Sequence, residues 1–217
     1  MAAVKRSDKR AYDNSDRRAR SAETRGRVLE VARSLITTKG YRAATVAEIA
    51  HTAGVHVDTV YELVGRKPAL LRALIEAAIS GGPDPVPPEQ REYVIAMRAE
   101  PDPARKLVLY AHAVTTIHTR IAPLQVALRD AATTEPEAMR VWQEINDRRA
   151  RNMRDLVAEL GPVGTLRDGM GVDEAAETIW AMASAEMFIL LTSDRGWSLA
   201  QYERWLADAW QRLLLAR

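Results

Sequence analysis

An all-α chain is predicted by three observations. Apolar residues recur at helical spacing from Val28 to Leu213. The strict alternation that marks a half-buried strand is absent throughout. The segment from Thr45 to Lys67, TVAEIAHTAGVHVDTVYELVGRK, reads as two short helices about a tight Ala53-Gly54 turn. The order of elements predicts an N-terminal three-helix domain containing a helix-turn-helix, followed by a C-terminal helical domain.

Each element follows from local chemistry. Residues 1–21 hold few apolar side chains and are expected to form a disordered, basic arm. Between Lys5 and Arg27 lie nine basic residues against four acidic ones, a charge bias typical of nucleic-acid contact. In residues 22–66, Val28, Val31, Ala32, Leu35 and Ile36 match one face of a helix that ends at Gly40. Thr45-Val46-Ala47-Glu48 fits a capping box, in which the Thr hydroxyl and Glu48 satisfy the first backbone N–H groups reciprocally. Gly54 can take the positive φ that ends this helix, and Val55 is placed to plug the angle to the next. Val57, Val60 and Val64 then recur at helical spacing beside Tyr61.

A connecting helix over 67–80 opens with Pro68 in its first turn, where a missing N–H is harmless, and carries Leu70, Leu71, Leu74, Ile75 and Ala78. The Gly/Pro-rich run 81–88 predicts a linker. Residues 89–217 form the second domain. Helices are expected near 88–99, 102–120, 122–133, 135–160, 173–192 and 198–216, with capping boxes at Thr134-x-x-Glu137 and Ser198-x-x-Gln201. The glycines between Gly161 and Gly171 predict a loop.

The N-terminal residues resemble a known family. Gly40-Tyr41, Thr45, Ile49-Ala50, Ala53-Gly54-Val55, Thr59-Val60-Tyr61 and Lys67 followed by Ala69-Leu70-Leu71 resemble the DNA-binding domain of TetR-family transcriptional regulators. The likeness is detailed over Ala22 to Ser80 and general beyond. It implies backbone contacts to DNA from Thr45, Thr59, Tyr61 and Lys67, and base-facing positions at His56, Val57 and Asp58. It also implies a C-terminal ligand-binding and dimerisation domain, a palindromic operator, and repression relieved by a small-molecule effector.

One departure from the family pattern is chemical. No Lys or Arg lies between Arg42 and Arg66, and the second helix carries Asp58 and Glu62. Phosphate attraction must therefore come from Arg42, Arg66, Lys67 and the arm. Val57 can pack on a thymine methyl, and His56 or Tyr61 can bond a purine edge. Asp58 either accepts from a cytosine amino group or complements the helix dipole.

The last two helices carry the dimerisation expectation. Ala176, Ile179, Trp180, Ala183, Met187, Leu190 and Leu191, then Leu199, Tyr202, Leu206, Ala209, Trp210 and Leu213, offer more apolar surface than one small domain needs. The competing reading is an ordinary monomeric core. Glu186 within this run requires a partner, expected from an Arg across the dimer. For the effector, Trp142, Asn146, Arg149 and Met153 fall along one side of a helix, with Trp180, Met187 and Phe188 on the following helix. Arg149 and Asn146 interrupt an apolar stripe and are candidates to hold a polar ligand group, as is His112. An intersubunit salt bridge competes for Arg149.

Composition bounds the alternatives. With no cysteine, disulfides, thiolate metal sites and cysteine nucleophiles are excluded together, which fits a reducing cytoplasm. The longest apolar run, Ile179 to Leu191, is too short for a span of about 20 residues, so no membrane partner is expected. Glu48-x-x-His51 is a single copy of a fragment that a di-iron bundle needs twice. No nucleotide loop, dinucleotide fingerprint or catalytic serine motif appears, so no cofactor and no enzyme activity are expected. Two other readings remain: a helical sensor that no longer binds DNA, and a helical-bundle enzyme.

Overall fold

The computed structural model describes residues 4–82, 86–162 and 164–216, with side chains from Arg17 onward. No strand occurs among them beyond an isolated antiparallel bridge between Leu166 and Leu215. The chain divides into two compact units, residues 1–74 and 75–217. The boundary falls inside a continuous helix rather than in the 81–88 run, of which residues 83–85 lie outside the described residues.

The first unit contains α1 (Val4–Lys39), α2 (Val46–Ala53), α3 (Val57–Val64) and the start of α4 (Lys67–Ser80). Helix α1 begins far earlier than the expected Ala22: the helix runs through the segment anticipated as a disordered arm. Lys, Arg and Ala are good helix formers, so this polar stretch extends the helix that Val28, Ala32 and Ile36 anchor in the core. Those residues pack with Ile49, Ala50, Ala53, Val60, Leu70 and Leu71, all buried.

In the second unit a 3₁₀ turn (Pro88–Gln90) leads into α5 (Glu92–Ala99), α6 (Pro103–Ala132), α7 (Pro136–Ala158), α8 (Val172–Met182), α9 (Ala185–Ile189), a π turn (Leu190–Asp194) and α10 (Leu199–Leu214). Two expected helices are one: α6 continues through Pro123. An interior proline costs about 3 kcal/mol. Buried Ile121, Ala122, Leu124 and Leu128 on both sides hold the helix together across it. One expected helix is two. The chain leaves α8 at Ala183, and the Ser184 hydroxyl accepts the Met187 N–H to start α9. Ser198 caps α10 as expected, at 3.2 Å from the Gln201 nitrogen. Helix α7 starts at Pro136 with Glu135 as its N-cap and no side-chain cap bond, so the anticipated Thr134 box does not start this helix.

The core of this unit corrects the dimerisation argument. Ile179, Tyr202, Leu206, Trp210 and Leu214 are fully buried within the single chain, packed with Leu107, Tyr110 and Val114 of α6. The apolar stripe of α10 is covered by α6, and that of α8 packs against α7. Glu186 likewise pairs with Arg129 of its own chain, not with a second subunit. No single described helix is long and apolar enough to cross a membrane; the apolar α8 and α9 are bent by 43° at their junction, and Ile179 and Phe188 in them are buried in the core.

Candidate nucleic-acid interface and effector cavity

Backbone chemistry fixes the geometry of α2 and α3. Thr45 takes extended φ and ψ, and its hydroxyl accepts the Glu48 N–H at 3.1 Å. Glu48 does not reach back as a capping box requires; its carboxylate turns to Lys39 of α1. At the other end Gly54 has φ 68°, its N–H bonds the His51 carbonyl at 3.1 Å, and the Val55 N–H bonds Ala50 at 3.0 Å. These two bonds form a Schellman motif, whose left-handed residue carries no Cβ penalty when it is glycine. The chain then turns into α3 through His56, an N-cap without a side-chain bond.

Helix α3 divides into two faces. Val60 is fully buried against the core. His56, Val57, Asp58, Tyr61 and Glu62 are exposed, with Val57 at 36% and Tyr61 at 45%. A solvated valine and tyrosine on a short helix present an apolar and a hydroxyl contact to a partner surface. Thr59 is half-buried, while Arg42, Thr45 and Arg66 are exposed. Thr45 commits its hydroxyl to the cap. Lys67 is half-buried: its ammonium lies 4.2 Å from the Tyr41 ring centroid and donates to the Arg42 carbonyl at 3.3 Å. That contact holds the start of α4 against the turn after α1. Of the anticipated arm, Arg17, Arg18 and Arg20 are exposed on α1; the side chains of Lys5, Arg6, Lys9 and Arg10 lie outside the described residues.

The second unit holds a partly open cavity of about 640 Å³, the size of a small-molecule site. Val94, Met97, Ile117, Ile121, Ile145 and Leu156 supply apolar wall, while Tyr110, His118, Gln125, Arg149 and Asn152 supply polar atoms. Ion pairs are made at its charged edge. Arg98 grips Glu159 through two bonds of 3.1 Å, and Arg148 meets Glu76 at 3.1 Å. Glu159 beside it raises the Arg98 pKa.

Inside, the polar groups behave differently. His118 is 5% exposed and stacks on Phe188, with ring centroids 5.5 Å apart. Burial pushes its pKa down to about 4, with a smaller push from Arg149, against the raising effects of the Val114 carbonyl and Glu186. The ring is therefore neutral near pH 7. Its Nδ1 lies 2.8 Å from the Val114 carbonyl, which can only accept, so Nδ1 carries the proton and Nε2 is an acceptor. Tyr110 donates its hydroxyl to Met153 Sδ at 3.2 Å, and burial raises its pKa. Arg149 donates to the carbonyls of Trp180 and Ala183 and lies over the Trp180 ring at 4.9 Å. It thus caps the C-terminal end of α8 from α7, a cation at the negative end of a helix. Burial lowers its pKa, but a guanidinium stays protonated in proteins.

Of the residues that the sequence points to for the effector, Arg149 and Met153 line this cavity. The others lie elsewhere. His112 is exposed and sits 3.1 Å from Glu203. Asn146 turns back to the Trp142 carbonyl at 2.8 Å, and Trp142 faces Arg129. Phe188 backs His118, Trp180 backs Arg149, and Met187 packs on the core. Tyr110, His118 and Gln125 escape the sequence reading. They share one face of α6 with Val114, Ile117 and Ile121, so polar interruptions of an apolar stripe are the available signal.

Residues 28–74 match the model for bacterial regulatory proteins of the tetR family. No curated protein matches the chain. Among solved structures, the fatty acid degradation regulator FadR from Bacillus halodurans is similar with TM-score 0.69 at 18% identity, covering 86% of this chain and 94% of that one. NalD, the secondary repressor of the MexAB-OprM multidrug efflux pump in Pseudomonas aeruginosa, gives 0.66 at 22% identity, covering 89% and 97%. FadR from Bacillus subtilis in complex with stearoyl-CoA gives 0.66 at 18%, covering 85% and 96%. At these identities the likeness establishes a shared fold across nearly the whole chain.

Proposed function

We propose that this regulator, whose N-terminal domain belongs to the TetR family of bacterial regulatory proteins, binds double-stranded operator DNA as a homodimer and represses transcription until a small molecule fills its cavity. The observation that carries the reading is the exposed face of α3 on a scaffold capped at both ends, within the residues that match the family.

Helix α3 enters the major groove. Val57 meets a thymine methyl, and Tyr61 and His56 meet base edges or sugar-phosphate. Arg42, Arg66, Lys67 and the basic face of α1 neutralise phosphates. One eight-residue helix reads too few base pairs for specificity, so two copies act about 34–36 Å apart on a palindrome. The outer faces of α8 and α10 join the copies, with exposed Leu199 and Leu213 as apolar contacts. The site of action is the bacterial cytoplasm, where the DNA is.

Effector control runs through α4. This single helix carries Lys67 at one end and Glu76, Ile79 and Ser80 of the cavity wall at the other. A ligand that binds one arrangement of Glu76 and Arg148 better than another displaces the helix by its differential affinity alone. NalD is named as a repressor, which supports repression as the sign of the effect.

Footprinting on DNA upstream of the protein's own coding sequence tests the reading. A protected palindrome, abolished when Tyr61→Ala is introduced into a folded protein, is expected. No protection at low salt would favour a helical sensor without DNA, a reading motivated by the acidic Asp58 and Glu62.

A further inference from the structure

We infer that the cavity of the second unit selects a carboxylate amphiphile, an apolar molecule with one anionic head group held at Arg149. The inference deepens the effector reading above and rests on it.

The charge balance of the wall carries the argument. Of the other lining cations, Arg98 and Arg148 are matched by Glu159 and Glu76, while Arg91 and Lys106, less buried than Arg149, donate to the Val86 and Glu159 carbonyls. Arg149 is not matched. Among the described residues its bonds are to two carbonyls, made through Nη2 alone, and no carboxylate pairs with it. Its Nε and Nη1 make no hydrogen bond there. The cavity is therefore lined by a cation with open donors, largely removed from water and surrounded by Ile, Val and Met side chains. Such a charge is unfavourable until an anion meets it, and a guanidinium fork matches a carboxylate.

One group on α6 supplies the second half of a head-group site. Gln125 is 9% exposed, lines the cavity, and makes no hydrogen bond among the described residues. Its amide N–H₂ can donate to a carboxylate oxygen. A cationic head would be repelled by Arg149, while the carboxylates of the wall are engaged away from it: Glu159 and Glu76 pair with Arg98 and Arg148, and Glu89 and Asp155 lie close enough to Arg98 to raise its pKa. An uncharged head would leave the guanidinium unpaired. The apolar wall from Val94 to Leu156 takes the hydrocarbon body.

Calorimetry on the unaltered protein with three probes of one tail length, below their micelle concentrations, tests this. Decanoate is expected to bind about tenfold or more tighter than decanol, as a charge-assisted bond gives, and decyltrimethylammonium not at all. Gln125→Leu, a substitution that removes the donor and suits a buried site, should weaken decanoate about threefold and leave decanol unchanged. Arg149→Lys should also weaken decanoate selectively, but it disturbs the α8 cap. Decanol or the ammonium binding as tightly as decanoate overturns the inference and leaves the cavity as an effector site. No binding by any probe overturns both. A decanoate preference with unchanged operator affinity sustains the inference and removes ligand-controlled release.

Discussion

Lowering the pH should destabilise the second unit through a single buried imidazole. His118 has a free value of 6.5 and is held at about 4 in the fold. Its folded pKa is depressed, so below 6.5 the unfolded chain binds a proton that the native state refuses. Stability is then fully present above pH 6.5 and is lost as pH falls toward 4. At about 1.36 kcal/mol per pH unit, the whole difference is worth about 3 kcal/mol, of which about 2 kcal/mol is lost by pH 5. Carboxylates titrate in the same range, so the measurement is a difference. Urea unfolding of the parent and His118→Gln, at equal protein concentration and at pH 7, 6, 5 and 4, isolates the ring. The parent should lose about 3 kcal/mol more than the variant by pH 4. Parallel curves would refute a buried neutral His118.

Leu206→Ala should destabilise the protein by about 2–5 kcal/mol, because Leu206 is fully enclosed in its own chain; a folded but monomeric product in light scattering would instead place it at a dimer interface. Tyr61→Phe should change stability by less than about 0.5 kcal/mol in urea unfolding yet weaken operator binding, since its hydroxyl sits on an exposed face. Lys67→Ala should weaken binding to operator and scrambled DNA alike in a mobility-shift titration, a phosphate contact carrying no base information. Deleting residues 2–20 should flatten the slope of log affinity against log salt by about 0.9 for each phosphate that the segment neutralises; an unchanged slope would leave Arg42, Arg66 and Lys67 as the source of attraction.

The helix-turn-helix is legible in the sequence because its signals are local. A Thr cap, a left-handed glycine and valines at helical spacing each act over four or five residues, and each sits where it is expected. Glu48 departs because Lys39, nine residues away, offers a charge that the cap does not. The second unit is less legible for the same reason. The break expected between residues 120 and 122, beside Pro123, does not form, because buried neighbours on both sides hold one continuous helix. The break at Ser184 is stabilised from another helix, by Arg149. The cavity is harder still: Arg149 and Met153 stand out on one helix, but Tyr110, His118 and Gln125 become their partners only when α6 packs against α7. Periodicity identifies buried stripes correctly and cannot say which helix covers them, so Leu206 and Trp210 read as a subunit interface until α6 is seen to cover them.

The division of labour within α3 bears on how such a regulator changes its targets. Val60 is fully buried and Thr59, Leu63 and Val64 are half-buried, so these positions anchor the helix, and the caps at its flanks are backbone bonds and glycines. His56, Val57, Asp58, Tyr61 and Glu62 contribute almost nothing to folding. Mutational drift at those five positions is therefore nearly free of any folding penalty, and under the proposed DNA-binding function each change would alter what DNA is read. A duplicated copy can acquire a new operator by surface substitutions alone, while its sensor stays as it was. Selection on the two halves is decoupled, and operator preference in this lineage is expected to diverge faster than the scaffold that presents it.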